Sequence, residues 1–314
     1  MTFGFDKRHL LNADRRPVLA TIATANFDHV IKAYQDVLGY KVLNLSTLSA
    51  EEASHWKAPS LETARQAFMG PESGAPVYLR FVEIVSVNPK SLSCGWFALE
   101  ICVRDVEALY RRLVAQGDFK AFAEPKPMPH TDRVYPMQCR GPAGEILFLN
   151  QVRGSLPEID LPIASSDVDH LFIAILSAPD MQASITFYED LLDMKVNEKL
   201  EFPYKTINRV HGLPLDTPHK LTTLGGMRQV ALEIDQYPRN SGIPVSLKSD
   251  DIREGILMVS FTVEDFRAEI TKNSEPHQSL EAAPYTGAES LICFGPGGER
   301  VELIKLPNKK ADAE

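Results

Sequence analysis

The chain repeats itself at a spacing of 154 residues. Residues 137–149 read MQCRGPAGEILFL and residues 291–303 read LICFGPGGERVEL, an offset of 291 − 137 = 154. A second match has the same offset, because residues 34–42 (YQDVLGYKV) correspond to residues 188–196 (YEDLLDMKV). A repeat of this length indicates two copies of one folding unit, which constrains the fold more than any local pattern does.

Each copy contains two modules, and each module reads as one strand, one helix and three further strands. Residues 19–23 are an apolar strand, and the apolar residues that follow them recur at helical spacing. The second copy repeats this order from residue 169 after a linker that carries acidic residues and prolines. We therefore expect two domains, at residues 1–155 and 165–308, with two modules in each.

Two segments carry a family resemblance. The helix segment FYEDLL (187–192) and the final-strand segment GPGGERVEL (295–303) resemble the vicinal oxygen chelate superfamily, which includes glyoxalase I, methylmalonyl-CoA epimerase, bleomycin-resistance proteins and type I extradiol dioxygenases. The resemblance extends over residues 17–306. It implies an α+β fold in which four β-α-β-β-β modules pair into two half-open barrels by internal duplication. It leaves the reaction open, because this superfamily hosts many chemistries on one frame.

The composition of the chain indicates which kinds of binding partner it has. The formal net charge of −9 argues against a nucleic-acid surface, which needs clustered Lys and Arg. No apolar run approaches the roughly 20 residues of a membrane helix, and the first 18 residues lack a secretory signal core. The four cysteines lie far apart without a CxxC pair, so we expect free thiols. A cytoplasmic protein with a small-molecule substrate, and without nucleic-acid or membrane partners, is predicted.

Three residues of the second copy are the predicted metal ligands. The resemblance implies ligands on the first and last strands of the modules, with side chains in the cavity. Because side chains alternate across a strand, His170, Glu233 and Glu302 are expected on the cavity side of one domain. An imidazole and two carboxylates suit Fe²⁺, Mn²⁺, Zn²⁺ or a similar divalent ion. Glu233 or Glu302 is also the predicted catalytic base.

The reaction class depends on Met258. By resemblance this residue stands at the fourth ligand position, but a thioether is a poor ligand for an oxygen-seeking ion, so Met258 is predicted to contact substrate. Ring-cleaving dioxygenases of the superfamily use a second histidine there. The leading hypothesis is therefore a metal-dependent isomerase, epimerase or lyase acting on a small oxygenated molecule. Extradiol cleavage of a catechol-like aromatic, and metal-free binding of the bleomycin-resistance type, are the alternatives.

Other residues of the second copy are candidate substrate contacts, because they lie in the middle strands, in the loops between them or near the penultimate strand. They are Tyr204, His211, His219 and Tyr285.

The first copy lacks the ligands. Its matching positions hold Arg80, Ala98 and Phe148, where the second copy has Glu233, Met258 and Glu302. A guanidinium and an aromatic ring cannot hold a cation. We expect the first domain to be structural, completing the core or an interface, and a homodimer is compatible with an exposed sheet edge.

Overall fold

The computed structural model describes residues 3–5, 15–85, 94–128, 131–236, 252–267 and 277–307. No helix in these segments is long and apolar enough to cross a membrane. The helix expected at residues 266–270 of the fourth module falls largely outside the described segments.

Four successive modules of the expected kind form the chain. The first contains β1 (Pro17–Thr24), α1 (Phe27–Leu38), β2 (Lys41–Thr47), α2 (Ala50–His55), a 3₁₀ turn (Pro59–Leu61), β3 (Arg65–Gly70) and β4 (Tyr78–Glu83). The second contains β5 (Gly95–Val103), α3 (Val106–Gln116), β6 (Lys120–Ala121), β7 (Val134–Arg140) and β8 (Ile146–Val152). The third contains β9 (Val168–Ala178), α4 (Met181–Leu192), β10 (Lys195–Pro203), α5 (Lys205–His211), β11 (Pro218–Gly225) and β12 (Val230–Gln236). The fourth contains β13 (Gly255–Val263), β14 (Gln278–Leu280), β15 (Ala288–Phe294) and β16 (Arg300–Lys305).

The main helices begin and end at the residue types that the sequence places there. Asp105 and Asp180 cap the N-termini of α3 and α4, each accepting a hydrogen bond from a backbone N–H of the first turn. Gly39 and Gly117 end α1 and α3 in the left-handed conformation. Each of the first three modules therefore turns from its first strand into a helix within a few residues.

The modules pair across the two sequence halves. One eight-stranded sheet has the order β14-β15-β16-β13-β1-β4-β3-β2 and so joins the first and fourth modules; we name it the outer-module sheet. The other has the order β10-β11-β12-β9-β5-β8-β7-β6 and joins the second and third modules; we name it the inner-module sheet. The fold class, α+β with four modules in two half-open barrels, is as expected. The expectation that consecutive modules share a barrel is wrong, because antiparallel pairs β1–β13 and β5–β9 bind strands from opposite halves.

One apolar core lies between the two sheets. It contains the buried sides of α1, α3 and α4 together with alternate residues of the strands in both sheets. Two tyrosines at repeat-matched positions cross this core. The Tyr34 hydroxyl donates to Glu145 Oε1 at 2.6 Å, and the Tyr188 hydroxyl donates to Glu299 Oε1 at 3.0 Å. Tyr34 and Tyr188 lie on α1 and α4, and each bonds a glutamate in a turn of the sheet to which its own module does not belong, so these repeated pairs join the two half-barrels.

The repeated Gly-Pro-x-Gly-Glu turn is what positions these glutamates. A Cβ atom on Gly141 would lie 1.8 Å from Glu145 Oε1, and one on Gly295 would lie 1.9 Å from Glu299 Oε1. The glutamate side chain therefore folds back over the first glycine of its turn, and any larger residue there would clash. The conspicuous motif of the sequence is thus an interface element of the fold.

Glu299 makes stability pH-dependent. Burial raises its pKa to about 7 from an ordinary 4.5, against hydrogen bonds from Tyr188 and the Gly297 N–H. Between these values the folded state keeps a proton that the unfolded state has lost, so stability falls as pH rises toward 7. We expect Glu299→Gln to reduce the loss of unfolding free energy between pH 5 and pH 8 by about 2–3 kcal/mol, measured by urea denaturation. Glu72→Gln, at an exposed position, should behave like wild type; equal pH dependence in Glu299→Gln would contradict this account.

Candidate functional site

The structure separates the three predicted metal ligands. In each sheet the face turned away from the helices, here called the cavity face, is the inside of a half-barrel. Glu302 lies on β16 of the outer-module sheet, whereas His170 and Glu233 lie on β9 and β12 of the inner-module sheet. The prediction of one His170–Glu233–Glu302 site is therefore wrong, because the third and fourth modules belong to different sheets.

On the outer-module cavity face, Glu302 is saturated with partners. Its side chain is fully buried and accepts hydrogen bonds from the hydroxyls of Ser260, Tyr285 and Ser290. The Tyr285 bonds measure 2.9 and 3.1 Å and the Ser290 bond 2.8 Å. Tyr285 is thus held by Glu302 and is 2% exposed, so it is a packing residue and not a contact in the cavity of Glu233.

Arg80 takes the position opposite Glu302. Its guanidinium lies 3.7 Å from Glu302 Oε2, stacks 4.1 Å over the Trp56 ring and donates from Nε to Thr21. Met258 packs in the apolar cluster around Trp56 with no exposed surface. A guanidinium already balances the only carboxylate of this group, so a divalent cation does not fit here, and the predicted roles of Glu302 as ligand and base are not supported by its surroundings.

A β-bulge changes the predicted orientation of β9. Glu100 pairs with Ile173 but Ile101 pairs with Leu171, so Phe172 is an extra residue between two registers. Beyond the bulge, Ile173 and Ile175 lie on the cavity face, while Ala174 and Leu176 join the helix-side core. Strict alternation along β9 would put Ala174 on the cavity face and Ile173 and Ile175 on the helix side, but one inserted residue reverses that alternation.

Three carboxyl groups gather on the inner-module cavity face. Glu233 and Asp235 lie two residues apart on β12, and Glu100 lies on β5. Glu100 accepts a hydrogen bond from the Asn150 amide. Buried oxygens Glu233 Oε1 and both Oδ atoms of Asp235 have no hydrogen-bond partner. Ionised carboxylates in this state are unfavourable unless they bind protons or a cation.

The pKa values of this acidic cluster are raised. Burial raises the pKa of Glu233 to about 8, although a hydrogen bond from Tyr204 opposes the shift. Burial and then the neighbouring charge of Glu233 raise the pKa of Glu100 well above its usual range. Burial, and then the charges of Glu233 and Glu100, raise the pKa of Asp235 well above its usual range. Burial therefore disfavours the ionised form of all three carboxyl groups unless a cation or other positive charge lies beside them.

Tyr204 is the one predicted substrate contact beside this cluster. It precedes α5, hydrogen-bonds Glu233, and has its ring 6.5 Å from Phe148 and 5.2 Å from Phe202. His219 is buried and lies 2.6 Å from Asn208 Oδ1, where it ties β11 to α5, and burial lowers its pKa. His211 ends α5, and its side chain is outside the described part of the structure.

His170 lies at the start of β9 with two partners that the sequence interpretation did not select. Its Nδ1 is 3.1 Å from Asp169 Oδ1 and 3.8 Å from Cys102 Sγ. Burial lowers the pKa of His170, but the bonds to Asp169 and Cys102 outweigh it and bring the pKa to about 9. Strand alternation places Glu100 and Cys102 on the same side of β5. A glutamate within this apolar strand is the sequence signal that indicates a polar site on that side.

The acidic cluster offers the donor type that a hard divalent cation prefers, but its carboxyl groups are not among the described ligand atoms that lie within 4.8 Å of one another. Carboxylate oxygens are preferred by Mg²⁺, Mn²⁺ and Fe²⁺, and the unpartnered oxygens of Glu233 and Asp235 are the atoms such an ion would need. Ala98, Phe148 and Ile173 on the same face are apolar. A cation held by Glu233, Asp235 and Glu100 would therefore require these carboxylates to rotate toward it, and its ligands would differ from the predicted set.

A family model and several solved structures are similar to this chain. The family model described as Glyoxalase/Bleomycin resistance protein/Dioxygenase superfamily matches residues 168–303. Glyoxalase I from Zea mays is 19% identical with a TM-score of 0.61, covering 96% of this chain and 95% of that one. A Bacillus subtilis structure whose name proposes a dioxygenase is 10% identical with a TM-score of 0.60, covering 94% and 86%. At these identities the structures show a shared fold alone. No curated protein matches the sequence significantly.

The Arg80–Glu302 pair makes a testable contribution to stability. Arg80→Met would leave Glu302 buried without its counter-charge, so we expect a loss of about 3–5 kcal/mol in unfolding free energy, measured by urea denaturation. The double variant Arg80→Met/Glu302→Gln removes both charges and should recover part of that loss. Wild-type stability of Arg80→Met would show that the pair does not hold this half-barrel.

Proposed function

Since residues 168–303 belong to the Glyoxalase/Bleomycin resistance protein/Dioxygenase superfamily and the whole chain has the glyoxalase fold, we propose that this protein is a divalent-cation-dependent enzyme acting on a small oxygenated organic molecule. The reaction would be of the isomerase, epimerase or lyase type. Its site would be the cavity face of the inner-module sheet, between the second and third modules.

The acidic cluster is the observation that carries this proposal. Glu100 and Asp235 are 8% and 3% exposed, and two carboxyl groups of the cluster have oxygens without partners. Such a cluster is costly for the fold, and costly polar groups are typical of functional sites. The outer-module face, in contrast, has its carboxylate fully satisfied by hydroxyls and Arg80.

When bound, a divalent ion would supply positive charge that balances the carboxylates and polarises a substrate carbonyl oxygen. Glu233, Asp235 and Glu100 would hold the ion, and the carboxylates would rotate toward it. Glu233, whose pKa of about 8 the ion would lower, would take a proton from the carbon next to that carbonyl and return it. Tyr204 would orient Glu233 through its hydrogen bond and could hand the proton on.

Apolar side chains surround the cluster and suit the carbon part of a substrate. The cavity face carries a set of buried apolar residues, namely Phe97, Phe148, Phe172, Ile173, Ile175 and Ile207. Phe148 stands where its repeat-matched residue is Glu302. An aromatic ring thus stands in this half-barrel where the other has a carboxylate, and it would exclude water and strengthen the charge interactions beside it.

The two alternatives are less well supported by the geometry. Ring cleavage would use two histidines and a carboxylate, but the single converging group of potential metal ligands in the described segments contains one histidine. Metal-free binding requires that the unpartnered oxygens of Glu233 and Asp235 stay protonated in the resting protein. A cation-binding assay distinguishes this alternative from the proposal.

We expect the purified protein to bind Mn²⁺, as measured by isothermal titration calorimetry. Glu233→Gln or Asp235→Asn should weaken this binding at least about tenfold, because each variant removes a charged ligand. In D₂O with Mn²⁺, NMR should detect proton exchange next to the carbonyl in a panel of α-hydroxy and 2-oxo carbonyl compounds. Glu233→Gln should slow that exchange about 10²–10⁴-fold.

Glu201→Gln is the matched control, because it removes the same charge from an exposed position of the same sheet. Its Mn²⁺ binding and exchange rate should equal those of wild type. Wild-type protein that neither binds Mn²⁺ nor promotes exchange would refute the enzyme proposal and favour the binding protein.

A further inference from the structure

Three potential ligand atoms converge at one end of the β5–β9 pair. Cys102 Sγ, Asp169 carboxylate oxygen and His170 ring nitrogen all lie within 4.8 Å of one another. Cys102 and Asp169 are buried, whereas 23% of the His170 side chain is exposed. The group is thus rigidly placed but reachable from solvent on the side of His170.

The distances match a tetrahedral ion. With zinc–sulfur bonds of about 2.3 Å and zinc–nitrogen or zinc–oxygen bonds of about 2.0 Å, neighbouring ligand atoms lie about 3.3–3.6 Å apart. The observed Cys102 Sγ to His170 Nδ1 distance is 3.8 Å, and Nδ1 to Asp169 Oδ1 is 3.1 Å. These two distances are within a few tenths of an ångström of those values, and the Cys102 Sγ to Asp169 distance is no more than 4.8 Å.

The geometry does not suit a nucleophilic cysteine. A Cys-His-Asp catalytic set uses one imidazole nitrogen for the nucleophile and the other for the carboxylate. Here the same nitrogen, His170 Nδ1, faces both Cys102 and Asp169. Three ligand atoms that lie close to one another, each with its own lone pair, are what a shared metal ion requires.

Neighbouring groups already orient the ligands. The Ser73 hydroxyl donates to Asp169 Oδ1 at 2.6 Å, and the Ser165 N–H donates to Oδ2 at 2.5 Å. The Tyr40 hydroxyl donates to the Asp169 carbonyl at 2.6 Å. Tyr40 and Ser73 come from the first module, so the site lies where the two half-barrels meet. Such supporting bonds are typical of metal ligands in proteins.

We propose that Cys102, Asp169 and His170 form a zinc site, independent of the proposed function and distinct from the acidic cluster. A thiolate and an imidazole select Zn²⁺ over the hard ions that carboxylates prefer. Three protein ligands leave a fourth position for water. On binding, the Cys102 thiol and the His170 imidazolium release their protons to solvent, and no other bond changes. The ion fastens β5 to β9 beside the first module.

Cobalt(II) is the probe, because it replaces zinc and reports sulfur coordination by an intense near-ultraviolet charge-transfer band. One equivalent of Co²⁺ should give this band in wild-type protein, and Zn²⁺ should remove it. Cys102→Ser should abolish the band, and His170→Ala should weaken Co²⁺ binding at least about tenfold. His170→Ala alters a partly exposed side chain and therefore serves if Cys102→Ser does not fold.

Cys139→Ser is the matched control, because Cys139 is a buried free thiol on β7 of the same sheet. It should keep the band, and so should Glu233→Gln, which separates this site from the acidic cluster. Absence of the band in wild type, or its persistence in Cys102→Ser, would overturn the zinc site. Loss of the band in Glu233→Gln would overturn its independence from that cluster.

Discussion

The antiparallel pairs β1–β13 and β5–β9 are the interactions on which the rest of this structure depends. Each joins strands from opposite halves of the sequence, so the residues that share a cavity are chosen by these pairings and not by closeness along the chain. They put Arg80 opposite Glu302 in one half-barrel, and Glu100 near Glu233 and Asp235 in the other. The chemistry of each cavity is a consequence.

The two half-barrels have diverged in opposite directions. In the outer-module sheet three hydroxyls and the Arg80 guanidinium surround the Glu302 carboxylate, and an aromatic ring covers the guanidinium. Because a guanidinium already balances the charge of this buried carboxylate, a bound cation would gain little there. The inner-module sheet carries three carboxyl groups with raised pKa values, and two of them, Glu233 and Asp235, have buried oxygens without partners. A bound cation would stabilise these buried carboxylates by balancing their charge.

The sequence predicted the α+β fold class and the orientation of several strands correctly. Val259 and Phe261 pack on the helix side and Ser260 on the cavity side, as alternation implies. The pairing of modules could not be read from it, because alternative pairings bury the same apolar faces and differ only in long-range contacts. The bulge at Phe172 was equally hidden, since a single extra residue leaves the local apolar pattern of β9 intact. These two features explain why the prediction of one site containing His170, Glu233 and Glu302 is wrong.

The central claim is that a divalent cation binds at the acidic cluster of Glu100, Glu233 and Asp235 and not beside Glu302. Anomalous diffraction from crystals soaked in Mn²⁺ tests it most directly, because the signal locates the ion without reference to activity. The account predicts one anomalous peak within coordination distance of Glu233 and Asp235. A peak beside Glu302, or no peak on the inner-module cavity face, would contradict it.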